Sequence, residues 1–262
     1  MTGAIRCAAQ VGVCWAGFVS EVPLPGGFAT TVVRVGDTVR RPPSERAGFV
    51  RQLLDLFTVR GWQGAPRFLG IDDRGREIFS FLEGHVAWQR VQPPDVWCDE
   101  SLVRVAGLVR EFHDLTAGTP LADDQEVVCH NDLSPKNTVY RDLGCGLRPV
   151  AFLDWDRAAP GPRLRDVASM CSTYLALGRA ASVHAAVRGL RLMCDAYGLA
   201  DRRRLVDTIL WLQDRCWREI DAAARVGEPG GLRLREAGVI AEVQAGMRWI
   251  RRHRDELDQG VD

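Results

Sequence analysis

Lysine is almost absent from this chain. Of its 34 basic residues, Lys136 alone is lysine and the others are arginine. Wherever the chemistry calls for a cation, a guanidinium must serve unless Lys136 is at hand. An excess of charge is missing too. The 34 acidic residues balance the bases, so no net field draws the protein to nucleic acid or to an acidic membrane. The eight cysteines form no C-x-x-C and no paired Cys/His spacing. That argues against zinc and for free, mostly buried thiols in a reducing cytoplasm. Cys129, directly before His130, reads as a strand residue rather than a nucleophile. No apolar stretch approaches the length of a membrane span. Residues 1–20 are mildly apolar with Arg6 ahead, but Gln10 interrupts the run and no clean small-residue cleavage pattern follows. A short N-terminal extension fits better than an export signal. There is no repeat and no low-complexity tract. A hydrophobic content of 46% over 262 residues suits two lobes that share a cleft.

What the chain does have is His130-Asn131-Asp132-Leu133-Ser134-Pro135-Lys136-Asn137, entered through the apolar pair Val127-Val128. A second apolar run ends in Phe152-Leu153-Asp154-Trp155-Asp156. This is a phosphoryl-transfer layout: one carboxylate takes the proton of an attacking hydroxyl, and an amide oxygen and a second carboxylate hold magnesium on the nucleotide phosphates. Asp132 is then the catalytic base, or the group that orients the acceptor hydroxyl, and Asn137 and Asp154 are the magnesium ligands. Turn-forming residues between strands would explain Asn, Asp, Ser and Pro. They would not explain His two before the Asp and Asn five after it. Lys136 can reach a γ-phosphate or remain a solvated loop cation. Asp156 shares a face with Asp154 in extended geometry and can touch metal or substrate.

Along the chain, two Val-rich runs joined at Gly36-Asp37 predict an antiparallel hairpin. Before it, Gly26 and Gly27 would let backbone approach a phosphate closely. Ser44 is placed to cap a helix over about 45–60, with Phe49, Leu53, Leu56 and Phe57 on one face. Strands are expected over 66–71 and 77–82 around an Asp72-Asp73-Arg74-Gly75 turn. A helix over 99–116 shows an apolar stripe of Leu102, Val105, Leu108, Val109, Phe112 and Leu115. From Leu164 the chain reads helical, with breaks at Gly178, Gly198, Gly227 and Pro229-Gly230-Gly231.

The segments HNDLSPKN and LDWD resemble the aminoglycoside phosphotransferase family, relatives of protein kinases that include choline kinases. The likeness extends to Leu24-Pro25-Gly26-Gly27, to Val32–Pro42, and to Ala65–Asp72 with Gly75-Arg76-Glu77 and the strand to Gly84. It implies an α+β, protein-kinase-like two-lobe fold with a small β-rich N-lobe and a larger helical C-lobe. The expected division is an extension over 1–20, a nucleotide-binding N-lobe over 21–83 and a C-lobe over 84–262. The resemblance also implies ATP as donor, with GTP as the alternative, together with Mg²⁺ and a small-molecule hydroxyl acceptor. By family position His130 braces the catalytic loop, Asp166 anchors it from a helix start, and Ser80 and Leu82 offer hinge backbone to the base. The family's third-strand lysine has no counterpart. Arg40 and Arg41 stand there, and Arg41, before Pro42, is the choice for the nucleotide phosphates. Its usual helix glutamate is also missing, because Glu45 reads as a surface residue. Trp155-Asp156 in place of Phe-Gly argues against a protein kinase. A catalytically inactive kinase-like binding module is the rival reading.

For a polycationic acceptor, Asp95, Asp99, Glu100, Asp123, Asp124 and Glu126 are the candidate acids. Residues 201–262, by contrast, hold twelve arginines and twelve carboxylates, with Trp211, Trp217 and Trp249 among them. Those arginines could equally line a pocket for a neutral or anionic hydroxyl compound, and the expected acceptor is a hydroxylated small molecule, with an aminoglycoside-like antibiotic modestly ahead of other sugars, nucleosides or amino alcohols.

Overall fold

The structure is a computed structural model that describes residues 20–24, 32–89, 91–178 and 182–261. Gly26, Gly27 and nearly all of the 1–20 extension lie outside the described residues. The first lobe is an antiparallel sheet of β1 (Val22–Pro23), β2 (Val33–Val35), β3 (Thr38–Arg41), β4 (Phe68–Ile71) and β5 (Glu77–Ser80), in the order β1-β2-β3-β5-β4. The β2–β3 hairpin turns at Gly36, whose φ of +58° a side chain would resist. In the β3–β5 ladder Val39 faces Phe79 and Arg41 faces Glu77. Side chains alternate across a strand, so these four share one face while Thr38 and Arg40 take the other.

Between β3 and β4 runs α1 (Ala47–Val59), which buries Val50, Leu53, Leu54 and Phe57. Its start corrects the sequence reading. Ser44 contributes its carbonyl to the Ala47 amide at 3.0 Å, while its hydroxyl is buried without a partner and caps nothing. The helix therefore begins two residues late, at a position without a side-chain cap.

The second lobe comprises β6 (His85–Val86), α2 (Asp99–Thr116), β7 (Val127–Cys129), β8 (Thr138–Asp142), β9 (Leu147–Phe152) and β10 (Ala159–Gly161). Six helices follow: α3 (Arg163–Tyr174), α4 (Val183–Tyr197), α5 (Leu205–Arg225), α6 (Pro229–Glu236), α7 (Val239–Arg252) and α8 (Arg254–Val261). β6-β8-β9 and β7-β10 are two small antiparallel sheets. Pro229-Gly230-Gly231 opens α6 instead of breaking the chain, because proline at a first helical position gives up only an amide that has no partner there. Gly178 (φ +93°) lets the chain after α3 press on α7: a Cβ there would lie 2.2 Å from the Cα of Gly246. No helix among the described residues is long and apolar enough to cross a membrane.

Where the lobes meet, Phe57 of α1 stands edge-on to Trp155 at 5.1 Å, and Phe112 of α2 meets Trp155 at 5.1 Å and Phe152 at 6.1 Å. Each such side chain contributes roughly 1.5–3 kcal/mol by burial. The cluster sits directly behind the segment carrying Asp154 and fixes its position relative to the sheet lobe.

Candidate active site

All three residues of β7 are buried, so the chain leaves the core at His130 with no freedom to slide. The His130 ring accepts the Asp132 amide at Nδ1 (3.2 Å), which requires the proton on Nε2, and Nε2 donates to the Leu153 carbonyl (3.0 Å). The ring lies against Trp155 at 4.5 Å. One buried imidazole thus ties the loop carrying Asp132 to the strand end carrying Asp154.

From the start of α3, buried Asp166 accepts the amides of His130 (2.6 Å) and Asn131 (2.9 Å) and the Nε2 of His113 (3.2 Å). Desolvation alone would raise its pKa. The hydrogen bonds from His113 and from the Asn131 amide outweigh that and hold the carboxyl below its ordinary value. Burial drives His113 the other way, toward the neutral imidazole, against the pull of Asp166. His113, Cys129 and Asp166 cluster within 4.8 Å. Burial keeps the Cys129 thiol protonated and Asp166 is already taken by hydrogen bonds, so the trio works as a brace.

Asn137 ends a short 3-10 turn at the start of β8. Its Nδ2 donates to both the Asp132 carboxylate (2.9 Å) and the Asp132 carbonyl (2.9 Å). The nitrogen is thereby committed, and the amide oxygen is the atom left for a hard cation. The Asn137 carbonyl accepts the Leu153 amide at 2.8 Å, so Asn137 and Asp154 are joined through a single hydrogen bond and one peptide unit. Asp154 holds a left-handed backbone (φ +59°) that turns its carboxylate out of the strand. Desolvation, then the charges of Asp156 and Asp132, raise its pKa, against the Arg41 charge. A divalent cation would relieve that repulsion, and the oxygen donors fit one.

Across the cleft, Arg41 forks onto Asp156 (2.9 and 2.5 Å), with Asp154 at 3.9 Å and its guanidinium 4.9 Å from the Phe79 ring centre. Arg40 points away, to Thr38 and Asp72. Behind Arg41 lies Glu77, fully buried, 3.7 Å from Arg41 and hydrogen-bonded to Arg51 of α1 at 2.8 Å. Sequence reasoning missed Glu77. The family's helix-borne acid is replaced by a strand-borne one, and the helix supplies the cation. The signal was present: in the alternation of β5, Glu77 shares the inward face with Phe79. Glu45 is exposed and takes no part.

The remaining expected residues are more dispersed. Lys136 is exposed, and its ammonium makes no ion pair among the described residues. Ser80 is the last residue of β5, its amide and hydroxyl both paired with Arg67, and Leu82 lies in the linker just past the ladder. Three of the acids considered for a polycation serve elsewhere. Asp95 accepts the Leu147 amide, Asp99 forks onto Arg188, and Glu126 accepts the Arg163 amide.

This geometry can be set against known proteins. A family model described as the phosphotransferase enzyme family (APH) matches residues 63–206, the stretch that carries the whole catalytic segment. The chain belongs to this family. A curated relative of this phosphotransferase-family chain is the trifolitoxin immunity protein of Rhizobium leguminosarum bv. trifolii, 31% identical over 211 residues, covering 70% of this chain and 76% of that protein. Among solved structures, a choline/ethanolamine kinase family protein from Mesorhizobium loti aligns over 90% of this chain and 94% of its own at 15% identity and a TM-score of 0.56. The GDP and kanamycin complex of APH(2")-IIia aligns over 86% and 93% at 16% identity and a TM-score of 0.55. The aminoglycoside phosphotransferase APH(3'')-Id of Streptomyces rimosus, in complex with ADP and streptomycin, aligns over 75% and 92% at 16% identity and a TM-score of 0.56. At such identities the likeness establishes a shared kinase-like fold.

Proposed function

We propose that this chain transfers the γ-phosphate of ATP, or alternatively GTP, to a hydroxyl of a small molecule in a Mg²⁺-dependent reaction. The observation that carries the reading is the arrangement of Asn137. Its nitrogen holds Asp132 through two hydrogen bonds, which leaves its oxygen and the Asp154 carboxylate as a pair of hard donors. Asp132 orients the acceptor hydroxyl and takes its proton as the bond to phosphorus forms. Asn137 and Asp154 would hold Mg²⁺, which when bound neutralises the phosphate oxygens. Arg41 swings from Asp156 to the phosphates, and Lys136 reaches the transferred group. Phosphoryl transfer has a loose transition state, so the His130 and Asp166 braces contribute by fixing positions.

In this reading residues 21–83 form the nucleotide lobe, with the Gly26-Gly27 loop over the phosphates and Ser80 and Leu82 at the base. Residues 84–262 form the acceptor lobe. The free thiols Cys98, Cys129, Cys171 and Cys194, which are buried or partly buried, support a reducing cytoplasm. The trifolitoxin immunity relative supports a role in antibiotic or toxin resistance.

The test is Mg²⁺-dependent phosphate transfer from labelled ATP to a panel of hydroxyl compounds. Asp132→Ala should lower it by about 10²-fold or more while nucleotide binding persists. Unchanged transfer in that variant would sink the assignment. One observation favours a second reading: Arg41 is engaged by Asp156, which suits a kinase-like binding module without turnover. Nucleotide binding with no transfer to any acceptor would select it.

A further inference from the structure

The wall beside Asp132 has a chemistry of its own. Arg157 follows the Asp154-Trp155-Asp156 turn, and its carbonyl accepts the Asn131 side-chain amide at 2.9 Å, which seats it next to the catalytic loop. Its guanidinium reaches Glu219 of α5 at 2.5 Å, and Glu219 is gripped from the other side by Arg215 at 2.6 Å. Trp211, Arg215 and Glu219 are spaced four residues apart and so form one stripe along α5. Trp211 is 49% exposed, with the Arg215 guanidinium 5.5 Å from its ring centre. The ion-pair side chains stay open to solvent, at 49% for Arg157, 41% for Glu219 and 44% for Arg215. Exposed Lys136 lies on the same side, near enough to Cys216 of α5 for its charge to act on that thiol, as does that of Asp132.

We propose that the acceptor bound beside Asp132 carries an oxyanion, a carboxylate or a phosphate, which Arg157 and Arg215 recognise, and that polyamines are excluded. The inference rests on the phosphotransferase reading only for the word acceptor. Arg157, Arg215, Lys136 and Arg165, whose guanidinium lies 6.0 Å from the Trp211 ring centre, stand here against the single acid of the stripe, and that acid is shared by two guanidiniums. Glu219, the acid an ammonium-rich ligand would meet on this stripe, is already held by Arg157 and Arg215. An oxyanion would find two half-open guanidiniums already oriented by Glu219, which holds them without burying them. Planar forks of this kind bind carboxylate or phosphate through paired hydrogen bonds. The exposed Trp211 beside Arg215 offers a flat apolar surface for the ligand's body.

The test is direct binding by calorimetry to the full chain, with ligands on one scaffold that differ in charge. D-glucuronate and D-glucose 6-phosphate carry the two oxyanions, D-glucose is neutral, D-glucosamine is cationic, and kanamycin is the polycation. At least one of the acids should bind tenfold or more tightly than glucosamine, and which acid wins identifies the oxyanion. Arg157→Glu should reverse the order, Arg215→Glu should weaken it, and Glu219→Gln, which frees both guanidiniums, should tighten the acids. Glucosamine or kanamycin binding as tightly as the acids overturns the proposal, as does an acid preference that survives both arginine variants. Transfer from labelled ATP, measured in parallel, judges the enzyme reading separately. Charge-selective binding without transfer keeps the wall and removes the phosphotransferase. Transfer to glucosamine in preference to the acids does the reverse.

Discussion

Arg41 on β3 and Asp156, two residues past Asp154, form a two-pronged ion pair at 2.9 and 2.5 Å that joins the sheet lobe to the catalytic segment. The same arginine is 3.9 Å from Asp154. A cation in this place can either stay with the carboxylates or turn to a nucleotide phosphate, and the two choices compete. Arg41→Ala is expected to weaken nucleotide binding tenfold or more, in line with about 1.5–3 kcal/mol for hydrogen bonds to charged groups. Arg40→Ala should leave it unchanged, since Arg40 is turned to Thr38 and Asp72. Calorimetric titration of both variants decides the point. A loss confined to Arg40→Ala would mean that the wrong strand face has been assigned. Asp156→Asn offers a finer check: if the pair restrains Arg41, nucleotide affinity rises.

Glu77 is the fully buried centre of an Arg41–Glu77–Arg51 chain. Removing the carboxylate leaves two guanidiniums facing each other with little water to screen them. Breaking a buried pair from one side typically costs about 3–5 kcal/mol, and the partial exposure of both arginines places the expectation for Glu77→Ala near the lower bound of about 3 kcal/mol. Glu77→Gln keeps an acceptor for Arg51 and should lose less. Urea unfolding of the two variants measures this. A Glu77→Ala protein as stable as the parent would show that the arginines relax freely to solvent and that Glu77 is no anchor.

Acidification should loosen the catalytic loop in two stages. Burial lowers the His113 pKa from its ordinary 6.5, so the folded protein resists a proton that the unfolded chain accepts, and stability declines as pH falls below about 6.5. Asp166 is also lowered, from 3.8. Its contribution is complete above that value and is lost as pH falls through the depressed folded one. Unfolding free energy measured from pH 8 to pH 3 should fall across both windows. In His113→Gln the upper decline should disappear while the lower one remains. An unchanged profile in that variant would remove His113 from the account.

Much of this was legible in the sequence because the candidate catalytic atoms come from two short segments. Asp132, Asn137 and Asp154 lie within 23 residues, and the two segments that carry them each follow a run that must be a buried strand. That Arg41 and Arg40 take opposite faces follows from strand alternation, which puts Arg41 in phase with Val39. Glu77 escaped because an acid at a strand start reads as solvated unless the whole strand is phased first. Ser44 misled because capping propensity describes a side chain that can reach the helix, and here the backbone carbonyl does the work. The Arg157–Glu219–Arg215 wall could not be read at all. Arg157 lies 62 residues from Glu219, and only the packing of α3 and the turn before it against α5 brings them together.

Asn131 precedes Asp132 and holds φ at +63°, a left-handed conformation that glycine and asparagine tolerate and β-branched residues do not. Its amide is bound by Asp166 and its side chain by the Arg157 carbonyl, so the strain is held from both sides. Asn131→Gly keeps the backbone geometry and gives up the side-chain hydrogen bonds to the Arg157 carbonyl and, at 3.4 Å, the Cys129 carbonyl, a loss of about 1 kcal/mol. Asn131→Val adds a left-handed penalty of roughly 1–2 kcal/mol and pushes the loop toward an extended backbone. That would move Asp132, and an error of about 1 Å in a reacting group can lower turnover about 10²-fold. The two variants should therefore separate. Glycine should keep most of kcat with a small drop in stability, and valine should lose kcat far beyond what its stability explains. Unfolding curves and transfer rates on the same preparations test this. Equal kcat in the two variants would show that the left-handed turn is incidental to the position of Asp132.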